Sequence, residues 1–474
     1  MKVAPYLEYE YSDVQWLQQL PSHWRANRLK TAATYCVSNV DKVPADEEQP
    51  VRLCNYTDVY YNDYIHPGMG LMETTATPEE IRKFGLRIND IVVTKDSEDW
   101  RDIAVPAMVA ETAPDLVCGY HLAIIRPRAD RLYGPFLLRL FQSSAINQQF
   151  QIAASGVTRY GLPKSAIGEA WLPLPPLEEQ QTIARFLDAQ TARIDTLVAK
   201  KRQLIAKLKE KRSALIARTV TRGLPPEAAK AAGLEPNPEM KDSGVEWIGV
   251  IPKQWSVVPF KRRARFIEGP GIMAADFLDE GIPLIRISGL SGEFASLEGA
   301  NYLDPTLVSE KWSHFKAKKG DLLISGSAST GLCCEVDDAT AGAIPYTGII
   351  IIRAISDLST KRFLRWYFQS DQFLVQVSLL KAGSTIQHFG PSHLSRMTIA
   401  LPRSLDEQEA IANYLDSETS KISRLMTRVD SAIARLTEYR QALITSAVTG
   451  KIDVRGFRHA RVGGHPEEVA HELA

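Results

Sequence analysis

The side chains with the most reactive chemistry in this chain are dispersed rather than grouped. His23, His66, His121, His314, His388 and His393 are scattered along the chain, with no H-E-x-x-H pair to put two imidazoles on one helix face and no G-x-S-x-G turn nearby. The five cysteines, Cys36, Cys54, Cys118, Cys333 and Cys334, form no C-x-x-C pair and no cysteine-histidine group at zinc spacing. That usage points to a reducing compartment without a structural metal, with Cys333 and Cys334 as small buried hydrophobes. Gly450-Lys451 lacks the upstream glycine of a phosphate-cradling loop, because position 445 is Thr. Asn237-Pro238 is followed by Glu239, not by the second proline and aromatic residue that would hold an adenine for methyl transfer. The sequence therefore predicts a chain with no catalytic, metal or cofactor site of its own.

The elements that would position any other kind of site come from a duplication. Ser12-Asp-Val-Gln-Trp16 with Pro21 and Trp24 returns as Ser243-Gly-Val-Glu-Trp247 with Pro252 and Trp255, a shift of 231. Asn89-Asp-Ile-Val-Val-Thr94 recurs at that shift as Gly320-Asp-Leu-Leu-Ile-Ser325. Nine of nineteen residues between Glu179 and Leu197 recur at a shift of 228, from Glu407 to Leu425. The stretches 40–88 and 271–319 share almost nothing, so one scaffold carries two different surfaces.

Residues 178–220 contain no Gly or Pro, follow Pro173, Pro175 and Pro176, and precede Gly223, Pro225 and Pro226. These signals predict one helix of ~65 Å. Its stripe at Ile194, Leu197, Lys201, Leu204, Leu208, Lys211 and Leu215 has coiled-coil spacing. The second copy places Ile422, Leu425, Val429, Ala432, Leu436, Tyr439 and Leu443 at equivalent points, which makes the duplicate helix the simplest partner. The domains expected are 1–177, a helix at 178–222, a linker at 223–242, a second domain at 243–404, a helix at 405–451 and a disordered tail at 452–474.

Lys plus Arg number 56 and Asp plus Glu 56, so any polyanion-binding surface must be local or shared with another subunit. The run from Arg193 to Arg222 has ten basic and two acidic residues, consistent with a phosphate-facing stripe, a solvated face or a contact to an acidic partner. Residues 1–10 lack the apolar core of a secretory signal. The longest uncharged apolar run, Ala339 to Ile352, is short of the ~20 residues that span a bilayer. A cytoplasmic protein without membrane contact is expected.

In their doubled order these residues identify a family. Ser-x-Val-x-Trp…Pro-x-x-Trp opens each half. Leu-Pro-Leu-Pro-Pro-Leu-Glu-Glu-Gln (172–180) or Leu-Pro-Arg-Ser-Leu-Asp-Glu-Gln (401–408) closes it, and each long helix ends in Val-Thr-Arg-Gly (220–223) or Val-Thr-Gly-Lys (448–451). With the connector Met240-Lys-Asp-Ser-Gly-Val-Glu-Trp-Ile-Gly249, the chain resembles the specificity subunit of type I restriction-modification systems from residue 12 to about 455. Arg403 departs from the proline-rich closing segment, where the first copy has Pro175.

The resemblance implies an α+β fold: two pseudo-twofold-related mixed α/β target recognition domains joined by two long antiparallel coiled-coil helices. It implies a non-catalytic subunit that reads an asymmetric, split double-stranded DNA target. It also implies docking of two methyltransferase subunits that bring S-adenosylmethionine, and of restriction subunits that bring ATP and Mg. Base edges are read by Arg or Lys at guanine, Gln or Asn at adenine, and Ser or Thr at either. The divergent loops offer Lys95, Asp96, Ser97, Arg101, Arg159, Tyr160 and Lys164 in the first half, and Ser325, Ser327, Ser329, Thr385, Gln387 and His388 in the second. The alternative is a coiled-coil scaffold that bridges two proteins without reading DNA.

Overall fold

The computed structural model describes residues 4–326, 332–381 and 389–457. The chain divides into two compact units, 1–201 with 431–474, and 202–430. This division cuts through both long helices, so each unit contains the start of one and the end of the other.

The first unit is built from β1 (Arg25–Arg28), β2 (Ala33–Val37), β3 (Gln49–Cys54), α1 (Tyr56–Tyr60), β4 (Tyr64–Ile65), β5 (Met72–Ala76), β6 (Ile91–Thr94) and β7 (Asp96–Ser97). It continues with β8 (Pro106–Val109), β9 (Leu116–Cys118), β10 (Leu122–Pro127), α2 (Gly134–Gln142), α3 (Ser144–Ala153), β11 (Tyr160–Gly161), β12 (Trp171–Leu174) and the long α4 (Leu177–Arg222). The main sheet runs β2-β10-β6-β8-β4, and a second sheet runs β9-β3-β5. Alternation along the central strands explains the layering. Ile91, Val93, Ala123 and Ile125 enter a core that includes α2, α3 and the start of α4, while Val92, Leu122 and Ile124 enter the core beneath the second sheet.

The second unit repeats this plan with β13 (Ser256–Pro259), β14 (Ala264–Glu268), β15 (Ile282–Ile285), β16 (Asn301–Leu303), β17 (Leu322–Ser325), β18 (Cys333–Glu335), β19 (Ile344–Pro345) and β20 (Ile349–Ala354). Next come α5 (Lys361–Phe368), α6 (Asp371–Lys381), β21 (Thr398–Leu401) and the long α7 (Leu405–Val448). Its main sheet runs β14-β20-β17-β18, matching β2-β10-β6 in the first unit, and β16-β15-β19 forms the second sheet. Leu322, Ile324, Ile350 and Ile352 face the helices, and Leu323, Ile349 and Ile351 the opposite core. The apolar run from Ala339 to Ile352 supplies β19 and most of β20.

The recurring polar residues are the joints of this scaffold. Gln180 accepts from the Tyr133 N–H and donates to the carbonyls of Arg131 and Pro175. Gln408 does the same with Thr360, Leu358 and Pro402. The indole N–H of Trp24 donates to Glu179 at 3.2 Å and that of Trp255 to Glu407 at 2.8 Å. Asp90, almost fully buried, takes two hydrogen bonds from Arg126, and Asp321 is paired with Arg353 in the second unit. Each such charge is satisfied by a fork of donors, which offsets the cost of burying it.

Each long helix ends on a glycine with positive φ, Gly223 at 78° and Gly450 at 74°, where a side chain would be strained. Gly450 packs against Pro21 and Trp24 in the first unit, and Gly223 against Trp255 in the second. Trp24 thus touches the start of α4 and the end of α7. Arg440 of α7 pairs with Asp195 of α4 further along, so the two segments within this unit run antiparallel. Residues 452–457, expected to be part of a disordered tail, are ordered: Val454 is buried in the first core, Phe457 packs on Phe186, and the Asp453 N–H donates to the Ala4 carbonyl at 2.7 Å. Residues 458–474 lie outside the described residues.

The apolar stripe is corrected in part. Ile194, Leu208, Ile422, Val429 and Leu443 are buried, and Leu215 and Leu436 partly so, but Leu197 (48%), Leu204 (41%) and Leu425 (43%) are exposed. A 3.5-residue stripe drifts by about 20° per heptad around a helix of 3.6 residues per turn, so it cannot stay covered along a straight rod. Among the described residues no helix is long and apolar enough to cross a membrane.

Candidate nucleic-acid interface

In the first unit the residues singled out in the sequence converge around a two-residue ribbon. β7 and β11 pair antiparallel, Ser97 with Tyr160 and Asp96 with Gly161. The backbone of Lys95 ties this ribbon to the sheet: its N–H donates to the carbonyl of His121, and its carbonyl accepts from the Leu162 N–H. Lys95, Asp96, Arg159 and Tyr160, separated by more than 60 residues in sequence, are thereby brought to one edge, with Arg101 and Lys164 on the flanking segments.

The charges on this edge are organised by one carboxylate. Asp96 Oδ2 lies 2.5 Å from Lys95 Nζ and 3.1 Å from His121 Nδ1. Burial pushes the Asp96 carboxyl up, but the hydrogen bonds from Lys95 and His121 outweigh it and hold the group below its ordinary range. Burial lowers His121 despite the Asp96 hydrogen bond, with the nearby Arg159 charge adding to the effect. Arg159 places an Nη 2.9 Å from His121 Nε2, and its side chain is exposed. Among the described residues no carboxylate lies at ion-pair distance from Arg159 or Lys164. Arg101 is exposed but held by Asp99, whose carboxyl is lowered by that pairing.

Two serines are corrected. Ser97 is buried; its hydroxyl meets the Tyr56 hydroxyl at 3.2 Å and accepts from the Asp99 N–H, so it shapes the loop instead of facing outward. Ser325 is 1% exposed at the end of β17, with its N–H donating to the Leu332 carbonyl. Ser327, Ser329, Thr385, Gln387 and His388 lie outside the described residues. Sequence reasoning missed His121 and Tyr120 as part of the site. The two rings lie 3.6 Å apart by centroid. Tyr56 and Tyr60, stacked at 5.5 Å beside Ser97 and Asp102, were also missed. The dense tyrosines at 56–64 were a signal for the latter; nothing local marked His121.

A cleft of about 930 Å³ in the second unit is lined by Arg212, Glu293, Arg365, Trp366, Gln369 and Asp416. Arg365 pairs with Glu293 at 2.6 Å, and the Trp366 indole donates to Asp416 at 2.9 Å, so these groups are committed to one another. No group of three or more His, Cys, Asp or Glu among the described residues could hold a metal ion.

The two units share one construction and carry unlike loops, and in the first Lys95 and Arg159 flank the β7–β11 ribbon. Comparison with known proteins gives the family. Residues 41–207 match the model of the type I restriction modification DNA specificity domain. The chain is 23% identical over 464 residues to the type I restriction enzyme MjaVIII specificity subunit of Methanocaldococcus jannaschii, covering 95% of this chain and 98% of that protein. It is 25% identical over 332 residues to the EcoBI specificity subunit of Escherichia coli, covering 65% and 63%. A solved chain from a study of complex assembly and conformational transition of the type I R-M system shares the fold at TM-score 0.64 and 18% identity, covering 90% of this chain and 98% of that one. The HsdS subunit from Thermoanaerobacter tengcongensis aligns at TM-score 0.50 and 18% identity, covering 91% and 98%. Residues 41–207 thus resemble the type I restriction modification DNA specificity domain, and over nearly its whole length the chain is similar to type I restriction enzyme specificity subunits.

Proposed function

We propose that this chain is the DNA-reading subunit of a type I restriction-modification complex, and that each unit reads one half of a split, asymmetric target. It performs no chemistry itself. The observation that carries this reading is the contrast between a repeated scaffold and unrepeated loops. Glu179 and Glu407 each accept from the copied tryptophan, and Gln180 and Gln408, Asp90 and Asp321 have equivalent partners in the two units, while 40–88 and 271–319 have diverged. Selection for a fold alone would not require such divergence, whereas reading two unlike half-sites does.

Two methyltransferase subunits would dock on the long helices, bringing S-adenosylmethionine, and restriction subunits would join through them with ATP and Mg. The support is Leu197 and Leu425. Among the nine residues recurring at the start of the helices most are buried, yet these two leucines are identical and both nearly half exposed. One apolar spot of the same kind on each unit suits two identical partners. The purified chain incubated with labelled S-adenosylmethionine and DNA should transfer no methyl group, and with its methyltransferase partner it should direct transfer to a defined sequence. Transfer by the chain alone, or transfer without sequence preference by the complex, would refute the proposal.

A further inference from the structure

We infer that Arg159 is the side chain with which the first unit reads a guanine, and that His121 and Asp96 are the positioning pair that aims it; the inference rests on the DNA-reading function proposed above. Arg159 sits on a closed loop. Ser155 and Gly161 exchange backbone hydrogen bonds at 3.1 and 2.9 Å, and the loop between them turns at Gly156, whose φ of 148° and whose missing Cβ, which would fall 1.9 Å from the Arg159 carbonyl, admit no other residue without rearrangement. The loop is therefore shaped to present Arg159, and the β7–β11 ribbon fixes its base to the sheet.

A cluster of Asp96, His121 and Arg159 then orients the guanidinium. Asp96 receives Lys95 and His121 on one oxygen, 2.5 and 3.1 Å away. One Nη of Arg159 lies 2.9 Å from His121 Nε2 and 3.1 Å from Nδ1, so the guanidinium rests against the imidazole ring that Asp96 holds at Nδ1. A ring against one end of the fork fixes it without cancelling its charge, and the Arg159 side chain remains exposed. A guanidinium whose charge served the fold would face a carboxylate, as Arg126 faces Asp90; none among the described residues faces Arg159. A fixed, uncompensated fork is suited to the paired O6 and N7 acceptors that guanine presents in the major groove. Phosphate binding would need charge but no such aim.

The test is modified-base sequencing of DNA from cells producing the full chain with its methyltransferase partner, parent beside variants. The parent's first half-site should contain a guanine. Arg159→Ala should relax that one position, cutting discrimination there about ten-fold or more, and leave the second half-site unchanged, which also controls for folding. Arg159→Lys should relax it too. His121→Ala should loosen the same position less, and His121→Gln, able to accept from Arg159 and donate to Asp96, should restore part of the discrimination. Even loss of methylation across sequences, with a salt dependence shallower by about one ion, would make Arg159 a phosphate contact and overturn the inference. So would an unchanged motif, or a first half-site without guanine. His121→Ala leaving that position intact would overturn the positioning role. A parent complex with no split motif would instead sink the functional reading itself.

Discussion

Glu407 carries a cost that Glu179 does not share in the same form. Among the described residues its carboxylate accepts one hydrogen bond, from the fully buried Trp255, and burial pushes the carboxyl above its ordinary value despite that bond. A raised carboxyl favours the folded state when protonated; that contribution is present below the ordinary pKa of about 4.3 and is lost as pH rises through the folded value. Glu407→Gln keeps an acceptor for the indole and removes the charge. Its melting temperature should be at or above the parent's near neutrality, with the gap closing toward acid. Glu407→Ala strands a buried indole N–H and should cost about 1–3 kcal/mol. A Gln variant as damaged as the Ala variant would show that the charge itself holds the joint. Glu179 instead receives Tyr6, Trp24 and His23 together. At this scale the sequence was readable only where residues recur: Trp24 and Glu179 stood out by their copies, while His121, unmatched in the second half, gained its meaning from the sheet that sets it against Lys95.

The long helices were the most legible elements, because uninterrupted strong helix formers bounded by proline and glycine leave little choice. Their surfaces were less so. A spacing rule treats every stripe position alike, but coverage depends on what the rest of the chain lays over it. Near its start α4 is covered by the first core and by residues 443–448, which bury Ile183, Leu187 and Ile194 and stop short of Leu197. β6 and β17 lie inside their sheets because both of their faces are apolar and buried. That Ser97 is buried while Lys95, two positions earlier, is only partly covered lay beyond any periodicity, since alternation would treat the two alike. For Leu197 and Leu425 we expect that Leu197→Glu or Leu425→Glu changes chain stability by no more than about 0.5 kcal/mol, since each side chain is nearly half in water. Each substitution should remove one co-purifying methyltransferase copy, and both together should remove two, as weighed by native mass spectrometry. Retention of two copies by the double variant would assign those leucines no part in docking.

For the whole molecule, the repeat predicted two similar bodies, but a serial list of domains missed how they are composed. The first unit is completed by residues 431–457 from the far end of the chain, through Arg440 to Asp63 and Asp195, Gln441 to the Gln142 carbonyl, and Gly450 against Trp24. A contact between residues separated by more than 400 positions leaves no trace in local pattern. It does constrain engineering. Exchange of 25–171 for the matching segment of a relative keeps Trp24 and Glu179, and should change one half of the DNA target while the other half stays as it was, provided the replacement retains acceptors for Arg440 and Gln441. If both halves changed together, the units would not be independent readers.

The central claim is that two similarly built units with unlike loops each read their own part of one site. Mapping of modified bases across the genome of cells that express this chain with its methyltransferase partner tests it directly. The account predicts one motif made of two unlike specified segments separated by unspecified bases, with a modified adenine in each segment. A single uninterrupted motif, or modification spread without regard to sequence, would contradict it.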